Sequence, residues 1–154
     1  ANSSAKIVLV PFHRQVAGND DLEVALAIRE KAGASVGIEI MEAETPAKLK
    51  AMLAGVRLLI GARFHSVVFA ASQGIPVVGI SYGQKVRNFL GCVGLEDFAL
   101  DPMEVTVDRV LALCDDLLHA QSGCSSAATA VINEMASRIA VQMDVAARIA
   151  RQAP

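Results

Sequence analysis

Four short runs read as strands, "IVLVPF" at 7–12, "SVGIEI" at 35–40, "RLLIGA" at 57–62 and "IPVVGISY" at 75–82, and all but the second lack the alternation of a half-solvated strand. A strand with one wet face places polar residues at every second position. Runs without that pattern belong to strands covered on both faces, the condition met in parallel sheets whose crossover helices pack on either side. The segments between the runs supply those helices.

"DDLEVALAIREKAG" repeats Leu22, Ala25, Leu26 and Ile28 at helical spacing, with Asp20 or Asp21 as N-cap and Gly33 as a stop, so a helix is predicted over 21–32. "TPAKLKAMLAGV" opens on Thr45 as N-cap and Pro46 at the first helical position. Helices are further expected at 64–73 and 85–93, and "FALD" at 98–101 reads as a fifth, edge strand. The fold class is therefore α/β: a Rossmann-like three-layer sandwich with a mostly parallel sheet and right-handed crossovers. Beyond residue 101 only helices are predicted, at 104–120 and 125–151. The last carries a stripe of Ala128, Ile132, Met135, Ile139, Met143, Ala146 and Ile149, which either packs on the sheet layer or meets another lobe or subunit. At 154 residues the whole chain, 1–154, is expected to form one domain.

Composition narrows the partners. Hydrophobic residues at 53% against 19% charged exclude a disordered polyelectrolyte. A net charge of −2 without a basic run gives no footprint for nucleic acid or anionic lipid, and 4% aromatics without tryptophan supply no base-stacking platform. Cys92, Cys114 and Cys124 lack the paired spacing of a zinc site, so no metal is expected and the three are read as small buried hydrophobes in a reducing, cytoplasmic setting. The start of the chain lacks the charged region and cleavage site of a signal peptide. The apolar stretch 66–82 is broken by Gln73, Gly74 and Pro76, so no transmembrane segment is expected.

In an open parallel sheet, ligands bind beyond the carboxyl ends of the strands. Arg63 and His65 lie there, directly after "RLLIGA" and at the start of the next helix, whose free N–H groups favour an anion. Arginine offers a planar donor fork to phosphate or carboxylate, and histidine can donate to an anion or pass a proton near neutral pH. "GISYGQK" brings Ser81, Tyr82, Gly83 and Lys85 out at the same edge, and "PFHRQ" does so for His13 and Arg14. His13 is a weaker candidate for ligand contact, and Arg14 reads as solvated. Spacing alone leaves the bland alternatives standing: a surface arginine, a packed histidine, a solvated lysine, and a tyrosine capping the core. Asp20 and Asp21 are assigned to capping, His119 to compensation of a helix dipole, and Gly61, Gly74 and Gly79 to tight turns or close backbone approach. No Walker loop, G-x-G-x-x-G or H-E-x-x-H is present.

The order "LLIGARFHSVVFAASQGIPVVGISYGQKVRNFLGCVGL", preceded by "VLVPFH" and "DDLEVALAI", resembles the carboxyl-terminal half of polysaccharide pyruvyl transferases over roughly residues 6–101. The shared pieces are a glycine-x-arginine-x-histidine segment, an alanine-rich helix, a G-[IV]-P-[VL] strand start and a tyrosine-x-x-lysine end. The resemblance implies a two-lobed, GT-B-like enzyme of which this chain matches the second lobe, the first lobe being supplied elsewhere. It implies phosphoenolpyruvate as donor substrate, with no other cofactor. The acceptor would be a saccharide of a cell-wall or exopolysaccharide precursor, lipid- or nucleotide-linked, on which a pyruvate ketal is built. Arg63 and His65 match the positions that contact phosphoenolpyruvate, and Tyr82 and Lys85 match the tyrosine-x-x-lysine. Gly83 stands where many relatives carry aspartate, and Phe64 where leucine is common. The implied location is cytoplasmic or peripheral to the inner face of the membrane. Two other readings are a non-catalytic ligand-binding or docking module that uses the Ile132–Ile149 stripe, also a route to a homo-oligomer, and a nucleotide-sugar glycosyltransferase lobe.

Overall fold

The computed structural model describes residues 6–13, 20–119, 128–138, 140, 142 and 143. The chain forms two compact units, Ala1–Gly55 and Val56–Pro154.

In the first unit, β1 (Ile7–Leu9) pairs in parallel with β2 (Ile38–Ile40), Val8 opposite Glu39. Both strands are shorter than their apolar runs. Proline has no N–H to donate, so β1 cannot extend through Pro11. Between the strands lies α1 (Asp21–Ala32), capped by the Asp20 carboxylate accepting from the Leu22 N–H and stopped at Gly33, whose φ of 75° suits glycine. Its predicted apolar face is only partly inside: Ala25 is buried, while Leu26 and Ile28 are exposed. Positions 26 and 28 lie about 160° apart around a helix, so one packed face cannot hold both. α2 (Pro46–Leu53) starts as expected, Thr45 Oγ1 accepting from the Lys48 N–H at 3.2 Å, and it buries Leu49 and Leu53.

The second unit is a three-stranded parallel sheet in the order β3 (Leu59–Gly61), β4 (Val77–Ile80), β5 (Ala99–Leu100). The fifth strand is an edge strand, as its sequence suggested. α3 (Phe64–Ala71) follows β3, α4 (Gln84–Cys92) follows β4, and α5 (Val107–His119) follows β5. Successive residues of β4 face opposite layers. A Cβ on Gly79 would meet Val86 and Leu90 of α4, whereas Val78 packs with Leu113 and Leu117 of α5. Helices thus cover both faces of β4, and this explains why "PVVGI" shows no polar alternation: Val77 and Val78 are both 0% exposed.

Several boundaries move for local reasons. α5 was expected from 104, but Asp101 caps a separate 3₁₀ turn at Pro102–Glu104, and Thr106 caps α5 by accepting from the Arg109 N–H. α3 ends at Ala71, before a turn through Gly74 at φ 70°. His119 Nδ1 lies 2.7 Å from the Asp115 carbonyl at the carboxyl end of α5, the dipole-compensating place assigned to it. Cys92 is exposed and Cys114 half-buried, which corrects the reading of both as buried hydrophobes: Cys92 ends α4 on the side away from Val86 and Leu90. Cys124 and Arg14 lie outside the described residues. A helical stretch at 128–138 carries part of the predicted stripe. Ala128 is buried and Ile132 half-buried, but Met135 and Met143 are exposed, so the described part of the stripe does not pack continuously; Ile139, Ala146 and Ile149 are outside the described residues. Among the described residues, no helix is long and apolar enough to cross a membrane.

Candidate active site

Four of the sequence-derived site residues stand on two neighbouring turns. Gly61 ends β3 opposite Gly79 in β4, so the β3–α3 turn with Arg63 and His65 and the β4–α4 turn with Tyr82 and Lys85 leave the same edge of one sheet side by side. Such an edge, where two helix N-termini meet, presents backbone N–H groups and partial positive charge to a ligand.

The first turn is set by close packing. A Cβ on Gly61 would fall 2.5 Å from Ser66 Oγ and 3.0 Å from a methyl of Val67, so glycine lets α3 start directly against the strand end. Arg63 is the N-cap, half-buried and extended at φ −88°, and its carbonyl accepts from the N–H groups of Ser66 and Val67 and from the Ser66 hydroxyl at 2.6 Å. His65, second in α3, is exposed, with its ring edge-on to Phe64 at 5.7 Å. Phe64 reaches in turn to Phe89 of α4, centroids 5.9 Å apart at 84°. This aromatic contact fastens the start of α3 to its neighbour and is worth about 0.5–1.5 kcal/mol beyond area burial.

The second turn begins where the Ser81 N–H donates to the Leu100 carbonyl at 2.7 Å. Tyr82 is 63% exposed, Gly83 is the N-cap, and Lys85, second in α4, is exposed. His65 and Lys85 therefore hold the same place in parallel helices. An arginine fork, an imidazole and an ammonium on two such helix starts can bind an anion carrying more than one charged group and can deliver a proton to it.

His13 lies in the first unit. Its backbone N–H and that of Phe12 donate to the Asp21 carboxylate at 2.8 and 3.1 Å, and its carbonyl accepts from the Asp21 N–H. Asp21 thereby fixes the end of this loop on α1, a role distinct from the capping done by Asp20. An open hollow of about 590 Å³ between the end of α1 and β2 is lined by Leu26, Arg29, Glu30, Val36 and Ile38, without His13. Ser66 and the Phe64–Phe89 contact were not read from sequence as parts of the site; Ser81 was placed at this edge, but not its burial or its hydrogen bonds to Gly83 and Arg87. A serine beside a helix start whose N-cap has no capping side chain was the available signal.

Three comparisons bear on these turns. The family described as polysaccharide pyruvyl transferase matches residues 1–84, a span that takes in Arg63, His65 and Tyr82 and stops one residue before Lys85. The amylovoran biosynthesis protein AmsJ of Erwinia amylovora is 29% identical over 79 residues, 51% of this chain and 19% of the relative, so the match spans about a fifth of that relative's length. No solved structure gives a significant match.

Proposed function

Given that the chain belongs to the polysaccharide pyruvyl transferase family, we propose that its second unit carries the donor site for transfer of pyruvate from phosphoenolpyruvate to a saccharide. The observation that carries this reading is the side-by-side placement of the two turns, fixed by the pairing of Gly61 with Gly79. Phosphoenolpyruvate presents a carboxylate and a phosphate, and two adjacent helix starts bearing Arg63, His65 and Lys85 match that charge. The acceptor is a sugar of an exopolysaccharide or cell-wall precursor, a reading supported by the likeness to a protein of amylovoran biosynthesis. The lobe belongs to a two-lobed enzyme, acts on the cytoplasmic side and needs no cofactor beyond its donor.

In the proposed reaction, the methylene carbon of the enol takes a proton while a sugar hydroxyl adds to the central carbon. The bond from that carbon to the phosphate oxygen breaks, phosphate leaves, and a second sugar hydroxyl closes the ketal; the two hydroxyl protons pass to bases. His65 supplies the proton or holds the phosphate, Tyr82 contacts the donor, and Arg63 and Lys85 stabilise charge on the leaving group.

Calorimetry with phosphoenolpyruvate tests the donor site. Binding by the full chain that disappears in Arg63→Ala supports it; absence of any anion binding favours a docking module, and preference for a nucleoside diphosphate favours a glycosyltransferase lobe. Where turnover is measured, His65→Ala should lower it by about 10²-fold or more, the scale of a lost general acid. Unchanged turnover would reject that role.

A further inference from the structure

The β4–α4 turn contains a buried hydroxyl with no part in the chemistry above. Ser81 is 7% exposed, and its Oγ donates to the Gly83 carbonyl at 2.6 Å while accepting from the Arg87 N–H at 3.3 Å. Residues 83 and 87 stand in the i, i+4 relation whose carbonyl and N–H close a first helical turn. The hydroxyl bridges that pair. Gly83, the N-cap, has no side chain to satisfy the first N–H groups, so the serine two residues earlier supplies the oxygen that a capping serine or aspartate would bring.

The bridge encloses Gln84, Lys85 and Val86. Val86 is buried, 2.7 Å from where a Gly79 Cβ would stand, which fixes the inner side of the turn. Lys85 and Tyr82 are exposed, so burial does not hold their side chains; their direction follows from the backbone to which they are attached. A site gains from a first contact only when the groups behind it fix its geometry. We infer that Ser81 is a positioning residue, which sets affinity for an anionic donor by holding the turn that carries Lys85. The inference rests on the donor-site reading.

The test is a double-mutant cycle on the full chain, with phosphoenolpyruvate titrated calorimetrically and the melting temperature followed for each variant. Ser81→Ala should weaken binding roughly tenfold, the scale of one lost hydrogen bond, and Ser81→Thr should restore it to within about threefold. In a Lys85→Ala background, Ser81→Ala should cost no further affinity, since its effect passes through the lysine. A loss that adds fully to that of Lys85→Ala overturns the inference and leaves a merely structural serine. Weakened binding in Lys85→Ala with native affinity in Ser81→Ala also overturns it, while the donor site stands. Native affinity in Lys85→Ala, or no binding by the unaltered chain, sinks the donor-site reading at this lysine and the inference with it. Should Ser81→Ala not fold, Ser81→Cys, close in shape with a weaker donor and acceptor, serves in its place, with the same outcomes deciding.

Discussion

The two turns at the edge of the second unit are near copies built in opposite directions. Each follows a strand-end glycine that its own helix presses against, Gly61 under Ser66 and Val67, Gly79 under Val86 and Leu90. Each contains one buried serine hydroxyl donating to the N-cap carbonyl at 2.6 Å. In the first turn that serine comes after the cap and reaches back from the helix; in the second it comes before the cap and reaches forward. The consequence lies in the residue left free to vary at the cap. Arg63 occupies the cap itself, so the first turn brings its cation in at the very start of the helix, whereas Gly83 leaves the cap bare and the second turn presents its cation two residues later, at Lys85.

Glycine substitutions give the largest effect on this comparison. Valine at 79 must displace Val86 and Leu90, both buried, and should cost about 1–3 kcal/mol by overpacking; valine at 61 should cost a similar amount. Gly83 has open space around it and φ −160°, so alanine there should change stability by less than about 0.5 kcal/mol. Urea denaturation measures all three. Equal tolerance at 79 and 83 would mean that the strand ends are not pressed by their helices, and the likeness of the turns would be lost.

Next in size is Ser66→Ala. The Arg63 carbonyl keeps the N–H groups of Ser66 and Val67, so loss of the hydroxyl should cost about 0.5–1.5 kcal/mol, toward the lower end. Ser81→Ala leaves the Gly83 carbonyl and the Arg87 N–H without their shared partner and should cost more within the same range. A larger loss at 66 than at 81 would break the asymmetry of the two turns.

Much of this architecture could be read from the chain because it depends on local chemistry. Asp20, Thr45, Pro46 and Gly33 mark helix ends by hydrogen bonds or backbone angles made within a few residues, and each acts where the sequence put it. That Arg63, His65, Tyr82 and Lys85 leave one sheet edge follows from parallel strand order alone. What escaped depends on partners distant in sequence. Phe64 meets Phe89 across 25 positions, a contact that neither residue's neighbours announce. The start of α5 was misplaced because two cap signals, Asp101 and Thr106, lie close together and the first closes only a 3₁₀ turn. The exposure of Met135 and Met143 shows the other limit, since a stripe gives a helix its period without naming what covers it.

The smallest expected effect sets Cys92, at the end of α4, against Cys114, in the middle of α5. Burial, and after it the nearby Asp115 carboxylate, pushes the Cys114 thiol above the ordinary range. The folded chain therefore keeps this proton at pH values where the unfolded chain has lost it. The contribution to stability is complete below the ordinary thiol range and declines as pH rises through it toward the raised folded value. In a Cys124→Ser background, replacing Cys114 by alanine should flatten the alkaline fall in melting temperature, and Cys92 should react with a thiol reagent faster than Cys114, because the thiolate is the attacking species and Cys92 is exposed. Faster labelling at Cys114 would show that α5 opens from the β4 face under native conditions. The layer packed on Val78 would then be the loose side of the unit, with the two turns held from the α3 and α4 side alone.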